Sequence, residues 1–194
     1  MIKNDFYKII DGNIGYINGS PKVLFIKTGQ GGSFYGYKNK YLELALKINA
    51  EQGMSVFVSA TTSDTKESFD KDINIIEKEL GTSQFEIYYL GVSKGGLIGL
   101  WYGADEPRIV KMLCINSPLM INYHSRTLPS IKKIGLTKLT MVYGSLDPSY
   151  RYIPFIEKYS KVVIINGEDH NFTQTEKGIN QVVDDNLIQL IDGN

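Results

Sequence analysis

Short apolar runs of strand length alternate with longer amphipathic stretches along nearly the whole chain. Phe6–Ile10 and Ile14–Ile17 flank Asp11-Gly12-Asn13, and the tolerance of Gly and Asn for positive φ predicts two short strands around a tight turn, an antiparallel edge. After Gly19-Ser20-Pro21 comes a strand at Val23–Ile26, within Lys22–Lys27, then a loop Thr28–Ser33. Leu42, Leu44, Ala45, Leu46 and Ile48 carry a helical pattern across about Tyr37–Gln52, ended by Gly53. Met54–Val58 is the next strand, and Ser63-Asp64 caps a helix that runs to Leu80 and stops at Gly81.

The second half repeats the pattern. Phe85–Leu90 has the β-branched and aromatic content of a strand, and Gly95–Tyr102 reads as a buried helix. Further strands are expected at Val110–Ile115, Leu136–Tyr143 and Val162–Ile165. Helices are expected near Ser149–Lys158 and about Gln174–Ile191, and a connection spans Asn116–Gly135. Strands alternating with helices of this length predict an α/β chain with a mainly parallel sheet covered by helices on both faces. No internal repeat, low-complexity tract or linker divides it, so residues 1–194 are expected to form a single domain.

Against this frame Gly91-Val92-Ser93-Lys94-Gly95 puts a serine where the chain turns from strand to helix. Glycines at both ends relieve the crowding of so sharp a turn, which lets the serine hydroxyl project above the sheet edge as a nucleophile. Downstream, Tyr143-Gly144-Ser145-Leu146-Asp147-Pro148 and Asn166-Gly167-Glu168-Asp169-His170-Asn171-Phe172 each follow an apolar, strand-like run. Serine, then acid, then histidine, with these three motifs in this order, resembles the α/β-hydrolase superfamily over nearly the whole chain.

That resemblance implies a division of labour. Ser93 attacks, His170 takes and returns the proton, and Asp147 orients the imidazole. Asp147 is also well placed to cap a helix opened by Pro148, and Asp169, beside the histidine, is the rival acid with a loop-fixing role as its alternative. The other histidine, His124, precedes the acid and reads as a surface or lid residue.

The resemblance also implies two backbone N–H donors for the anionic intermediate, from Lys94 and from the loop Lys27-Thr28-Gly29-Gln30-Gly31-Gly32-Ser33. Gln30 is the expected second donor and Gly31 the fallback. Thr28 stands where the related esterase loop has histidine. The loop fails as a phosphate cradle, because no Lys-Ser/Thr follows at the required spacing. The Lys94 side chain either reaches solvent or meets an anionic substrate group. Phe34, Tyr35, Leu119 and Met120 line an apolar substrate pocket or, equally, belong to the core. Asn116–Gly135 is too short for more than a small helical excursion, so no large cap domain is expected.

Composition narrows the partners. Lysine plus arginine and aspartate plus glutamate each number 21, so no global field recruits nucleic acid or an anionic membrane. No run approaches the roughly 20 apolar residues of a membrane helix, and no apolar leader opens the chain, which makes the cytoplasm the expected compartment. The single cysteine, Cys114, lies in an apolar strand and reads as a buried small hydrophobe. The expected function is therefore a serine hydrolase acting on a small-molecule ester or thioester, with no metal or organic cofactor and no oligomeric state assigned. Amide or peptide hydrolysis, and a non-catalytic binding protein of the same fold, stay open beside it.

Overall fold

The computed structural model describes residues 8–172, together with 183, 185–187, 189 and 191. Eight strands form one sheet: β1 (Lys8–Ile10), β2 (Ile14–Ile17), β3 (Ser20–Gln30), β4 (Met54–Thr61), β5 (Glu86–Val92), β6 (Ile109–Ile115), β7 (Leu139–Gly144) and β8 (Lys161–Ile165). Their order across the sheet is β1-β2-β4-β3-β5-β6-β7-β8. The six from β4 to β8 run parallel, and the β1–β2 hairpin closes one edge antiparallel to β4. Gly12 takes positive φ, 68°, as expected, but its partner in the hairpin turn is Asp11, at 51°, in place of Asn13. Positive φ at both central residues matches the right-handed twist of the flanking strands.

Period-two alternation along the strands divides the interior into two layers. On β3, Val23 and Phe25 face one apolar cluster with Tyr89 of β5 and Cys114 of β6. Leu24 and Ile26 face the other, with Leu90 and Ile115. Helix α1 (Lys40–Gln52) covers the second face through Tyr41, Leu42, Ala45 and Ile48. Helix α2 (Lys66–Leu80) covers the first through Phe69, Ile73 and Ile76, spaced at one helical face. Each such side chain removed from water contributes about 1.5–3 kcal/mol, so packing on the sheet holds the helices more than intrinsic propensity does. Cys114 is fully buried, and burial pushes its thiol up to about 12.

Several boundaries differ from the sequence expectation, each for a local reason. β3 continues through Thr28 to Gln30, because Gln30 still pairs with Thr61 of β4 after a register shift. Residues 37–39 form a 3₁₀ turn before α1, with Lys38 and Asn39 at positive φ. The cap of α2 is Thr65, whose hydroxyl accepts the N–H of Ser68, in place of Ser63-Asp64. The segment after Ser93 is a short helix α3 (Lys94–Ile98) continued by a π-helical turn. β7 begins at Leu139 because Gly135 and Lys138 close a turn that leaves Leu136 exposed. The connection contains a π-helical turn and α4 (Leu128–Ile134), and after β7 come a 3₁₀ turn and the short α5 (Ile153–Ile156), with Pro154 in its first turn. The helix expected about 174–191 lies largely outside the described residues; Val183 and Leu187, four apart, pack in the second cluster.

Candidate active site

β4 and β5 flank β3 on opposite sides, so the crossover from β3 to β4 and the one from β4 to β5 run in opposite directions across the sheet. In parallel α/β sheets such a reversal opens a crevice at the carboxyl ends of the strands. Ser93 stands there, immediately after β5 and beside the end of β3.

The turn that carries Ser93 is tight. Its φ of 51° and ψ of −118° are costly for a residue with a side chain, and the N–H of Ser93 donates to Ile115 O at 2.7 Å. The next turn packs directly on β3: a Cβ on Gly95 would stand 2.1 Å from Lys27 O and 2.5 Å from Thr28 O. Only glycine fits that contact.

Three loops from distant parts of the chain converge on this hydroxyl. Ser93 Oγ lies 2.9 Å from His170 Nε2, and His170 Nδ1 lies 2.5 Å from Asp147 Oδ2. Asp147 is buried, and its second oxygen accepts the N–H of Ser149 at 2.6 Å. The capping role and the histidine contact therefore coexist, one on each oxygen. Asp169 instead accepts the N–H of Asn171 at 2.9 Å and adds a longer-range charge near the imidazole. The hydrogen bond that Asp147 accepts is the main reason the His170 pKa is raised above 6.5, with burial opposing it.

Asn116 is a residue that sequence reasoning passed over. It is 1% exposed and closes β6 in a left-handed conformation, φ 46°. Its Nδ2 donates to the carbonyls of His170 at 2.7 Å and Asp169 at 3.2 Å, while its Oδ1 accepts the N–H of Gly144 at 3.1 Å. The same two loops touch at Gly144, where a Cβ would lie 2.3 Å from Glu168 O. An asparagine directly after an apolar strand was the available signal, but its partners lie 28 to 54 residues away in sequence.

Of the expected donors, the N–H of Lys94 belongs to the first turn of α3, where no intrahelical acceptor exists. On the β3 side, a Cβ on Gly29 would stand 3.5 Å from Ser93 Cβ, so Gln30 directly follows a residue packed beside the serine. The Lys94 side chain forms an ion pair. Its Nζ lies 2.5 Å from Asp64, whose carboxyl is held below its usual value by that ammonium. Gln30, Lys94 and Asp64 border a hollow of about 150 Å³ with Thr61, Thr62 and Ser63, a polar lining.

The apolar pocket expected from Phe34, Tyr35, Leu119 and Met120 divides. Phe34 and Leu119 are buried in the two core clusters, while Tyr35 and Met120 keep partial exposure. His124 is exposed and sits edge-on to Tyr123. The connection is anchored rather than loose. Trp101 Nε1 donates to Thr127 Oγ1 at 2.9 Å, and the Arg126 guanidinium lies 4.3 Å from the Trp101 ring centre. Among the described residues no three His, Cys, Asp or Glu side chains group as metal ligands, and no helix is long and apolar enough to cross a membrane.

No protein-family model matches the chain, and no curated protein matches it in sequence. Solved structures do. Est1E from Butyrivibrio proteoclasticus is 18% identical and aligns over 95% of this chain and 97% of its own, with a TM-score of 0.69. That protein has also been solved with ferulic acid bound. An α/β serine hydrolase homologue from Coxiella burnetii is 16% identical over 99% of this chain and 95% of its own, TM-score 0.60. XC6422 from Xanthomonas campestris, an α/β serine hydrolase without a lid, is 15% identical over 93% of this chain and 86% of its own, TM-score 0.59. At these identities the likeness is one of fold.

Proposed function

We propose that this chain, which has the α/β-hydrolase fold without a large cap domain, is a serine hydrolase that cleaves a small ester or thioester through an acyl-enzyme. The observation that carries the reading is the unbroken line from Ser93 Oγ through both ring nitrogens of His170 to Asp147 Oδ2, at 2.9 and 2.5 Å. A serine hydroxyl is a weak nucleophile at neutral pH and needs a base at hydrogen-bond distance. With Asp147 accepting from Nδ1–H, the imidazole presents an unprotonated Nε2 to the serine.

Ser93 Oγ adds to the substrate carbonyl carbon as its proton moves to His170 Nε2, and Asp147 stabilises the imidazolium that forms. The N–H groups of Gln30 and Lys94 hold the oxyanion; losing one such donor costs about 10²–10³ in rate. His170 then protonates the departing alcohol or thiol, which leaves an acyl-Ser93 ester. Water, deprotonated by the same imidazole, hydrolyses that ester and returns Ser93–OH with a carboxylate product. The likeness to Est1E, solved with ferulic acid bound, supports a small-molecule substrate.

Labelling with a fluorophosphonate followed by peptide mapping tests the reading. The adduct is expected on Ser93 and absent in Ser93→Ala, and a panel of esters, thioesters and amides then ranks leaving groups. Folded protein that neither labels at Ser93 nor turns over any of the panel would establish a binding protein instead.

A further inference from the structure

The strand end that carries Gln30 is held from behind by two side-chain assemblies. Thr28 is completely buried. Its Oγ1 accepts the N–H of Thr61 at 3.1 Å and stands 3.2 Å from the carbonyl oxygens of Gly29 and Gly32, either of which can accept its single proton. Thr61 Oγ1 answers by donating to Thr28 O at 2.5 Å. One hydroxyl thus joins the end of β3 to β4 and closes the turn that follows.

One residue earlier lies a buried charge. Lys27 Nζ is 2.5 Å from Asp72 Oδ2 on α2 and donates to Ser59 Oγ at 2.9 Å, and Ser59 lies 3.0 Å from the same carboxylate. Lys27 is 1% exposed and Asp72 7%. Such a pair is often no better for stability than well-packed apolar side chains, but here it ties β3 to Ser59 of β4 and to α2. The main chain it secures is the stretch whose carbonyls meet Gly95, directly behind Ser93. A displacement of residues 27–29 is therefore transmitted to the spacing between Gln30 and Ser93.

We propose that Thr28, with the Lys27–Asp72 pair beneath it, is a positioning device that sets the distance from the Gln30 N–H to the serine-bound oxyanion. The proposal rests on the serine-hydrolase reading above. All three side chains are buried away from the site opening, so their effect belongs to the transition state, where the oxyanion exists, and not to substrate binding. A misplacement of about 1 Å at such a site can cost about 10²-fold.

The test uses the full chain with a soluble short-chain aryl ester. Thr28→Val keeps volume and branching but removes the hydroxyl, Thr28→Ser restores it, and Lys27→Met with Asp72→Leu replaces the ion pair by apolar side chains. Thr28→Val is expected to lower kcat by about 10–100-fold with KM within about twofold, the signature of lost transition-state stabilisation. Thr28→Ser should recover most of that loss, and the double variant should reproduce it with thermal unfolding still cooperative. If Thr28→Val fails to fold, the double variant decides by the same kcat criterion. Unchanged kcat in a folded variant, or a loss confined to KM, overturns the proposal while wild-type turnover and Ser93 labelling leave the hydrolase reading intact. Wild-type protein without turnover or labelling removes both.

Discussion

Asp147 faces His170 with one carboxylate oxygen, at 2.5 Å from Nδ1, and the N–H of Ser149 with the other, at 2.6 Å. The second contact fixes which way the carboxyl group turns, and that makes Asp147→Asn an informative substitution. The amide oxygen is expected to keep the Ser149 N–H, which turns the amide NH₂ toward His170. The imidazole must then carry its proton on Nε2, where it cannot accept one from Ser93. Loss of kcat by about 10³–10⁴-fold is expected, with KM and thermal stability little changed. Steady-state kinetics beside a melting curve check both halves.

The pH dependence follows from the raised pKa of His170, whose first cause is the hydrogen bond to Asp147. Only the neutral imidazole is a base, so kcat/KM should climb with pH along a limb centred above 6.5. Removing the carboxylate charge in Asp147→Asn should move that limb down. The linkage to stability has the opposite sense. A histidine pKa raised on folding stabilises fully below the unfolded value and loses that contribution as pH rises through the folded value. The melting difference between wild type and His170→Gln should therefore shrink from pH 5 to pH 8.

Asn116 is expected to matter for both stability and rate, since it bridges the Gly144 N–H to the carbonyls of Asp169 and His170. Asn116→Leu leaves the buried Gly144 N–H without that partner, at about 1–3 kcal/mol, and unties the half-buried carbonyls of Asp169 and His170. Loss of stability of at least that size should accompany a fall in kcat of at least about 10-fold, because the His170 loop loses its tether. Calorimetry and kinetics on the same sample separate the two.

The anchored connection argues against a lid that opens at an interface. Thr127 donates to Ile121 O at 2.7 Å while accepting from Trp101, and Tyr123 and Ile131 are buried. Rate against concentration for short- and long-chain esters should rise smoothly through the solubility limit. A sharp increase on emulsion formation, with negligible activity on dissolved substrate, would show instead that the connection gates the site.

What could be read from one dimension was what local chemistry encodes. Alternating and helical apolar periods located the eight-stranded pattern's main strands, α1 and α2, and glycines around Ser93 marked the strand-to-helix turn. The order of the serine, acid and histidine motifs pointed to the fold. Boundaries slipped where a distant partner overrode local preference, as when Thr61 extends β3 to Gln30. Lys27 shows the limit most clearly. Its place at a strand end carries no sign of a partner, yet folding sets it against Asp72, 45 residues away. Asn116 joins two loops, and Asp147 rather than Asp169 meets the imidazole, only because sheet order sets β6 beside β7 and β7 beside β8. Periodicity is a property of neighbouring residues. Which side chains share a hydrogen bond across 77 residues, as Ser93 and His170 do, is decided by how the strands are ordered and packed.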